Sequence, residues 1–349
     1  MSIEFLGSKR RLLSFLNEQI SAHSGEGQHF VDLFCGTASV ASNFRELGLR
    51  VTANDHLDLC STMAEARLLN RGTPRFAALV EAGEIMVARG ESSYDKVLAR
   101  LNELEPRQGF VHRSYSPAST EGSGVTRMYF SEANAGHIDA VRDQIGSWEP
   151  LLTRGERSLL IADLVRAASA VSNTAGTYGC FLKRWKARAL EPLELTRSSS
   201  PSRRGSGHAV HRAEAEDLAG TLEADVIYAD PPYTKRQYGA YYHVLETIAR
   251  NDTPQLMGST GLRPWASSDF CYRRKAPAAL ERLISRIRAR HFFLSYSADG
   301  QIPDANIREV LMPYGRLQVA EVPYPRYRSS NLKHRGPVVT ERLYHLALA

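Results

Sequence analysis

The chain contains no apolar run approaching the ~18 residues that a membrane span requires. Its opening residues, MSIEFLGSKRRLL, lack the apolar core and small-residue cleavage site of a signal peptide. Only four cysteines occur, Cys35, Cys60, Cys180 and Cys271, far apart and without a CxxC pair. That spacing argues against a zinc site or a disulfide framework. These absences describe a soluble, cytoplasmic protein with reduced thiols. Lysine is also scarce: of 44 basic residues only seven are lysine, leaving 37 arginines. Arginine suits bidentate contacts to phosphate and to guanine edges. A GC-rich genome produces the same bias, so composition leaves the two explanations even.

What is present is ordinary for a globular protein: 349 residues, 43% apolar and 23% charged. That is enough chain for one large domain or two ordinary ones. The net charge of +6 permits an anionic partner without proving one.

Along the chain, residues 29–34 form a short apolar run followed by Cys35-Gly36-Thr37 and a helical pattern to Leu47. A second strand follows to Ala53, ending at Asn54-Asp55, and a helix over residues 57–70. Strand, glycine turn, helix, strand, acid is the opening of a doubly wound α/β sheet. Residues 79–104 and 151–171 read as helices, residues 127–145 as a helix with a short apolar start, and residues 111–125 and 195–208 as loops. Strands are predicted over residues 225–229, 291–296, 316–322 and 341–348, with helices over 239–250 and 277–290 and a short one ending at Met312. The reading is an α/β sheet interrupted by a mostly helical insertion.

Two stretches carry chemistry. Gly36 would let a ligand approach the backbone, and Asp55 would accept hydrogen bonds from ribose hydroxyls. The GxGxxG fingerprint is absent, with Ala38 and Ala41 where glycines would stand, which disfavours NAD or FAD and leaves room for S-adenosylmethionine. The second stretch is Asp230-Pro231-Pro232-Tyr233 at a strand's carboxyl end. An acid there can simply cap the next helix. Two prolines, however, remove two backbone donors and fix the chain in extended geometry. A carboxylate beside such carbonyls is a pocket of acceptors only, suited to an exocyclic amine, with Tyr233 beside it for a base to stack on.

Asp230-Pro231-Pro232-Tyr233 resembles the (D/N/S)PPY motif of amino-methyltransferases acting on exocyclic base nitrogens, and its DPPY form resembles the Dam-like DNA adenine-N6 methyltransferases. Other motifs follow in family order. Phe5-Leu6-Gly7-Ser8-Lys9-Arg10 resembles the N-terminal YxGSK motif, and Asp32-Leu33-Phe34-Cys35-Gly36-Thr37-Ala38 resembles the DxFxGxG cofactor motif. Asn54-Asp55 resembles the second-strand ND, Glu214 stands where an acid near the cofactor adenine is usual, and Ser295-Tyr296-Ser297 with Asp299-Gly300 resembles SYS-x-DG. Arg236-Gln237-Tyr238 and Tyr241-Tyr242-His243 are similar to a restriction-associated subgroup. Ala38 departs from the second glycine, and Glu214 from the more usual Asp.

The resemblance implies a Rossmann-like S-adenosylmethionine-dependent methyltransferase sheet, residues 1–71 and 208–349. Residues 72–207 form the insertion, assigned to target recognition. It implies methyl transfer to a flipped-out adenine in duplex DNA, without a covalent intermediate or a catalytic metal. Its partners would be double-stranded DNA and a cognate restriction endonuclease. The implied catalytic residues are Asp230, Pro231, Pro232 and Tyr233. The implied cofactor residues are Gly7, Lys9, Asp32, Phe34, Gly36, Asp55, Glu214 and Asp230, and the DNA contacts Lys9, Arg236 and Tyr238. Phosphate contacts are open to residues 184–188, Arg203, Arg204, Arg236, Arg273, Arg274, Arg326 and Arg328. Asn173, Gly176, Tyr178 and residues 127–131 are read as either site-forming or a helix stop. RNA adenine or cytosine N4 as the target, or a non-catalytic nucleic-acid-binding protein on the same fold, are the alternatives.

Overall fold

The computed structural model describes residues 5–25, 28–198, 202–325 and 338–349. By internal contacts the chain divides into two units. One comprises Met1–Phe5, Leu57–Arg203 and Tyr238–Ala266; the other comprises Leu6–His56, Arg204–Gln237 and Ser267–Ala349.

The second unit is built on a seven-stranded sheet. Its strands are β1 (His29–Asp32), β2 (Arg50–Asn54), β3 (Ala209–His211), β4 (Glu223–Ala229), β5 (Arg288–Ser297), β6 (Gly315–Pro325) and β7 (Val338–Leu348). Their order is β3-β2-β1-β4-β5-β7-β6. The first five run parallel, and β7 lies antiparallel between β5 and β6. Parallel central strands are covered on both faces, so they read as continuous apolar runs. All four residues of β1 and the last four of β4 are buried. The edge strand β6 alternates between half-buried and exposed positions along most of its length. One core cluster joins Val31, Ile227, Phe292 and Leu294 of the sheet to Leu280 and Leu283 of the helix Ala276–Ile284 and to Ile307 and Leu311 of Asp304–Leu311.

The doubly wound α/β expectation therefore holds. The strand order reverses between β1 and β4, so their carboxyl ends open side by side, where ligands of such sheets bind. Three details differ from the reading of the sequence. β3 was not predicted: it has three residues and directly follows the loop-like stretch, too short to show a period. The helix predicted over 277–290 ends at Ile284, because β5 already begins at Arg288. An N-terminal helix, Leu13–Ser21, buries Leu16 and Ile20.

The other unit is helical among its described residues. Arg154–Ala170 starts with a capping box, in which Thr153 and Glu156 satisfy each other's backbone N–H. The single helix predicted over 79–104 is two, Ala77–Glu81 and Ser93–Asn102. Gly83 and Gly90, both at positive φ, stand between them. The stretch 111–125, predicted as loop, contains most of the helix Phe110–Tyr115 and the short helix Ser119–Ser123. Asn173, Tyr178, Arg127 and Tyr129 are all buried. Asn173 accepts from the Lys186 N–H and donates to the Leu182 carbonyl, while Arg127 donates to the carbonyls of Ser114, Gly258 and Ser259. These residues are thus hydrogen-bonded within the unit.

Glu246, in the helix His243–Arg250, is buried. Its two carboxylate oxygens accept from the N–H groups of Asp58 at 3.1 Å and Leu59 at 2.8 Å. It thereby caps the helix Asp58–Leu68, whose own N-cap position, Leu57, has no side-chain acceptor. Glu246→Ala leaves both buried donors without that acceptor. We expect urea unfolding to show a loss of about 1–3 kcal/mol, and a smaller loss for Glu246→Gln.

Candidate active site

The site lies in the sheet unit, at the carboxyl ends of β1 and β4. β4 ends at Ala229, and Asp230 follows with Pro231 and Pro232, so no backbone N–H of either proline competes for the Asp230 carboxylate. Asp230 Oδ1 is 3.2 Å from Lys9 Nζ. The same ammonium donates to Glu341 Oε2 of β7 at 3.1 Å. Lys9 and Glu341 are nearly inaccessible, at 4% and 2% exposure, so this is one buried cation between two carboxylates. Its Nζ also lies 5.0 Å from the centre of the Tyr233 ring. Tyr233 meets Tyr296 edge-on at 5.8 Å, and its carbonyl accepts from the Gln301 N–H.

Local structure explains how Lys9 arrives there. Gly7 sits at φ +77°, a turn open mainly to glycine, and directly precedes the Ser8-Lys9 step. The Tyr324 hydroxyl donates to the Ser8 carbonyl at 3.1 Å. The 3₁₀ turn Lys9–Leu12 then leads into the helix Leu13–Ser21.

The three groups set one another's protonation. Burial pulls the Lys9 ammonium down, but Asp230, Tyr233 and Glu341 outweigh it and hold it well above its usual range. Asp230 is pushed up to about 7, chiefly by burial and further by Glu341, with Lys9 opposing.

The second half of the site is the turn after β1. Asp32, the last residue of β1, is 1% exposed, and neither carboxylate oxygen has a hydrogen-bond partner among the described residues. Burial and the charges of Asp230 and Asp55 push its carboxyl well above the usual range, while the N–H groups of Phe34 and Ala41 pull the other way without closing a hydrogen bond. A buried carboxyl without donors, beside two further acids, gains from a positive neighbour that favours its charged form, and so fits a cationic ligand such as an ammonium or sulfonium. Asp55 accepts from the Gly36 N–H at 3.0 Å, which ties the glycine turn to the end of β2. Phe34 is half-buried and meets Phe270 edge-on at 5.5 Å. Asn54 is a clamp: its amide donates to the carbonyls of Leu33 and Ala213 and accepts from the Ala213 N–H. It thereby fixes the loop after β3, on which Glu214 stands exposed as the N-cap residue of Ala215–Ala219. The neighbouring acid Asp217 is paired with Arg286 at 2.8 Å, so Glu214 is the acid there that no other described side chain holds.

The structure thus brings Gly7, Lys9, Asp32, Phe34, Gly36, Asp55, Glu214 and the residues 230–233 into one unit. Arg236 belongs to it too, with its carbonyl accepting from the Cys271 thiol. Tyr238 belongs to the helical unit, where its ring lies 5.5 Å from that of Phe5. Arg184, Arg188, Arg203, Arg204, Arg273 and Arg274 are exposed. Arg326 and Arg328 lie outside the described residues. Sequence reasoning missed Glu341; the available signal was a lone acid in the otherwise apolar alternation of the final strand.

Comparisons with known proteins agree with this geometry. Residues 5–299 match the family model for the D12 class N6 adenine-specific DNA methyltransferases, and the chain belongs to that family. Among its relatives, the Type II methyltransferase M.NlaIII of Neisseria lactamica is 34% identical over 96% of this chain and 95% of its own length. Modification methylase StsI of Streptococcus sanguinis is 33% identical over 99% of this chain, and the Type II methyltransferase M.FokI of Planomicrobium okeanokoites is 32% identical over 99%. This chain spans about half of each of the latter two, 52% of their lengths.

Ala38 takes the place of the second glycine of the cofactor motif, and it is held at φ +56°, ψ +32°, fully buried. The left-handed region costs a non-glycine residue roughly 1–2 kcal/mol, while glycine adds about 0.5–1 kcal/mol of unfolded-state freedom. Ala38→Gly is therefore expected to raise stability by about 0.5–1 kcal/mol, read as a higher urea midpoint.

Proposed function

We propose that this protein is a site-specific DNA adenine-N6 methyltransferase, the modification half of a restriction system, acting on duplex DNA in the cytoplasm. The observation that carries the reading is Asp230: a largely covered carboxylate, 13% exposed, at the switch point of the sheet, followed by two prolines and Tyr233, and 3.2 Å from the Lys9 ammonium. The methyl donor is S-adenosylmethionine, which supplies an electrophilic methyl on a sulfonium. Asp32 takes its ammonium group, Asp55 its ribose hydroxyls, and Glu214 and Phe34 flank its adenine.

The residues act on the target by position and charge. An adenine inside a duplex cannot reach a pocket at the end of a strand, so it is flipped out at a cost of a few kcal/mol. Stacking on Tyr233 offsets about 1–3 kcal/mol of that. Adenine N6 is a weak nucleophile because its lone pair is spread into the ring. Asp230 and the Pro231 carbonyl accept its two N–H bonds, which localises the lone pair toward the methyl group. With the donor bound, its sulfonium would supply the methyl to N6 and leave as the neutral thioether, and the proton lost from N6 would pass to water. Proximity and fixed charge supply the acceleration. Residues 72–207 and the exposed arginines serve target recognition and phosphate contact, and a cognate endonuclease is the partner of the modification.

The deciding experiment incubates the protein with unmethylated duplex DNA and labelled donor, then digests the DNA and identifies the modified nucleoside. N6-methyladenine is expected. N4-methylcytosine, transfer only to RNA, or donor binding with no product would each overturn the proposal. Asp230→Ala is expected to lower transfer at least a thousandfold while donor affinity changes much less. Because Asp230 must be ionised to accept N6 hydrogens and its carboxyl sits near 7 in the free protein, kcat/KM for the donor should fall as pH drops through about 7. Glu341→Gln removes a neighbouring negative charge, so that limb should move to lower pH.

A further inference from the structure

Away from the active site, three histidines from three separate elements converge in the sheet unit. His23 follows the end of the helix Leu13–Ser21, His291 lies on β5 and His345 on β7. A ligand nitrogen of each lies within 4.8 Å of those of the other two, and among the described residues this is the sole group of three or more His, Cys, Asp or Glu side chains so placed. The β5–β7 register accounts for two of them. His291 pairs with Ala347 and Phe293 with His345, so His291 and His345 are diagonal neighbours on one face of the sheet. His291 Nδ1 stands 3.0 Å from His345 Nε2. The ring of His23 lies 4.1 Å from that of His345 and 4.8 Å from that of His291.

We infer that His23, His291 and His345 form a binding site for one divalent transition-metal cation of the zinc class, with three imidazole ligands and the remaining coordination open to water. Tetrahedral ligands at a metal–nitrogen distance of 2.0–2.1 Å stand about 3.3–3.4 Å apart, within a few tenths of an ångström of the 3.0 Å hydrogen-bonded spacing of His291 and His345. Metal binding needs neutral imidazoles. Ring orientation is also fixed: Phe293 stacks on His345 at 4.5 Å and 10°. The nearest fixed charges are accounted for, since Asp225 accepts from the His29 N–H at 2.9 Å and lies 3.8 Å from the exposed Arg290.

The site is not part of the transfer machinery. His291 is in register with Val226, four residues before Asp230, a separation of roughly 13 Å along the strand. It is a staple. His23 closes the helix whose preceding turn begins at Lys9, and His345 lies four residues beyond Glu341 on the same strand. A bound cation fastens together the two pieces of chain that deliver the cation and the second carboxylate of the active site.

The test titrates chelator-treated protein with Zn²⁺ alone by calorimetry and follows thermal unfolding with and without the ion. One equivalent per chain and an unfolding midpoint raised by several degrees are expected. His291→Gln and His345→Gln should each weaken binding at least tenfold. His23→Gln, a half-exposed position past a helix end, should do the same without disturbing the strands, and so carries the test if a strand variant fails to fold. Co²⁺ in place of Zn²⁺ should give visible bands without the intense near-ultraviolet band of a thiolate ligand. Absence of a stoichiometric equivalent, unchanged affinity in His23→Gln, or a thiolate band would each overturn the inference.

Discussion

The site depends on one buried ammonium. Lys9 is removed from water and shared between Asp230 and Glu341, so one buried cation faces two acidic groups. Taking ions out of water is costly, and such a cluster persists only when geometry and further contacts compensate. Here they do: the Gly7 turn, the Tyr324 hydroxyl on the Ser8 carbonyl and the Tyr233 ring all constrain where Lys9 can be. The result is a carboxylate held beside Lys9 whose proton affinity is set chiefly by burial and then by its two neighbours. A carboxylate in water would ionise far below neutrality and would hydrogen-bond to solvent rather than to an incoming amine.

Asp32 and Asp55 extend the same logic. Three carboxylates along the carboxyl edge of β1, β2 and β4 repel one another, and the protein leaves Asp32 without a donor to relieve it. Charge of this kind is stored for a positive ligand. Asp55 spends one oxygen on Gly36 and Asn54 spends its whole amide on two loops, so the turn, the second strand and the Glu214 loop move as one piece. The proposed cofactor end of the site is braced by hydrogen bonds that join elements far apart in sequence.

Much of this was legible in the residues. The strands at 29–34, 49–53 and 225–229 were visible because parallel, doubly covered strands are continuously apolar, and Gly36, Asp55 and Asp230 follow directly from where those strands stop. Asp230-Pro231-Pro232-Tyr233 could be read as an acceptor pocket because proline chemistry is local. The rest was hidden for stated reasons. β3 is three residues long, and no periodicity exists at that length. Two glycines at positive φ split a helix whose apolar spacing continues across the break. The partnership of Lys9 with Glu341 joins residues 332 positions apart, and no local pattern encodes such a contact. The histidine trio was invisible for the same reason: residues 23, 291 and 345 have no motif spacing.

That separation has a kinetic meaning. Closing a loop of several hundred residues costs only a few kcal/mol of entropy, but contacts of such long range are made late in folding. During synthesis the first strands, the glycine turn and Asp230 all emerge before β7 exists. Until residue 341 has left the ribosome, Lys9 has one of its two carboxylates and Asp230 lacks the neighbour that helps set its proton affinity. The Lys9–Glu341 contact is thus completed only by the last strand of the sheet to appear.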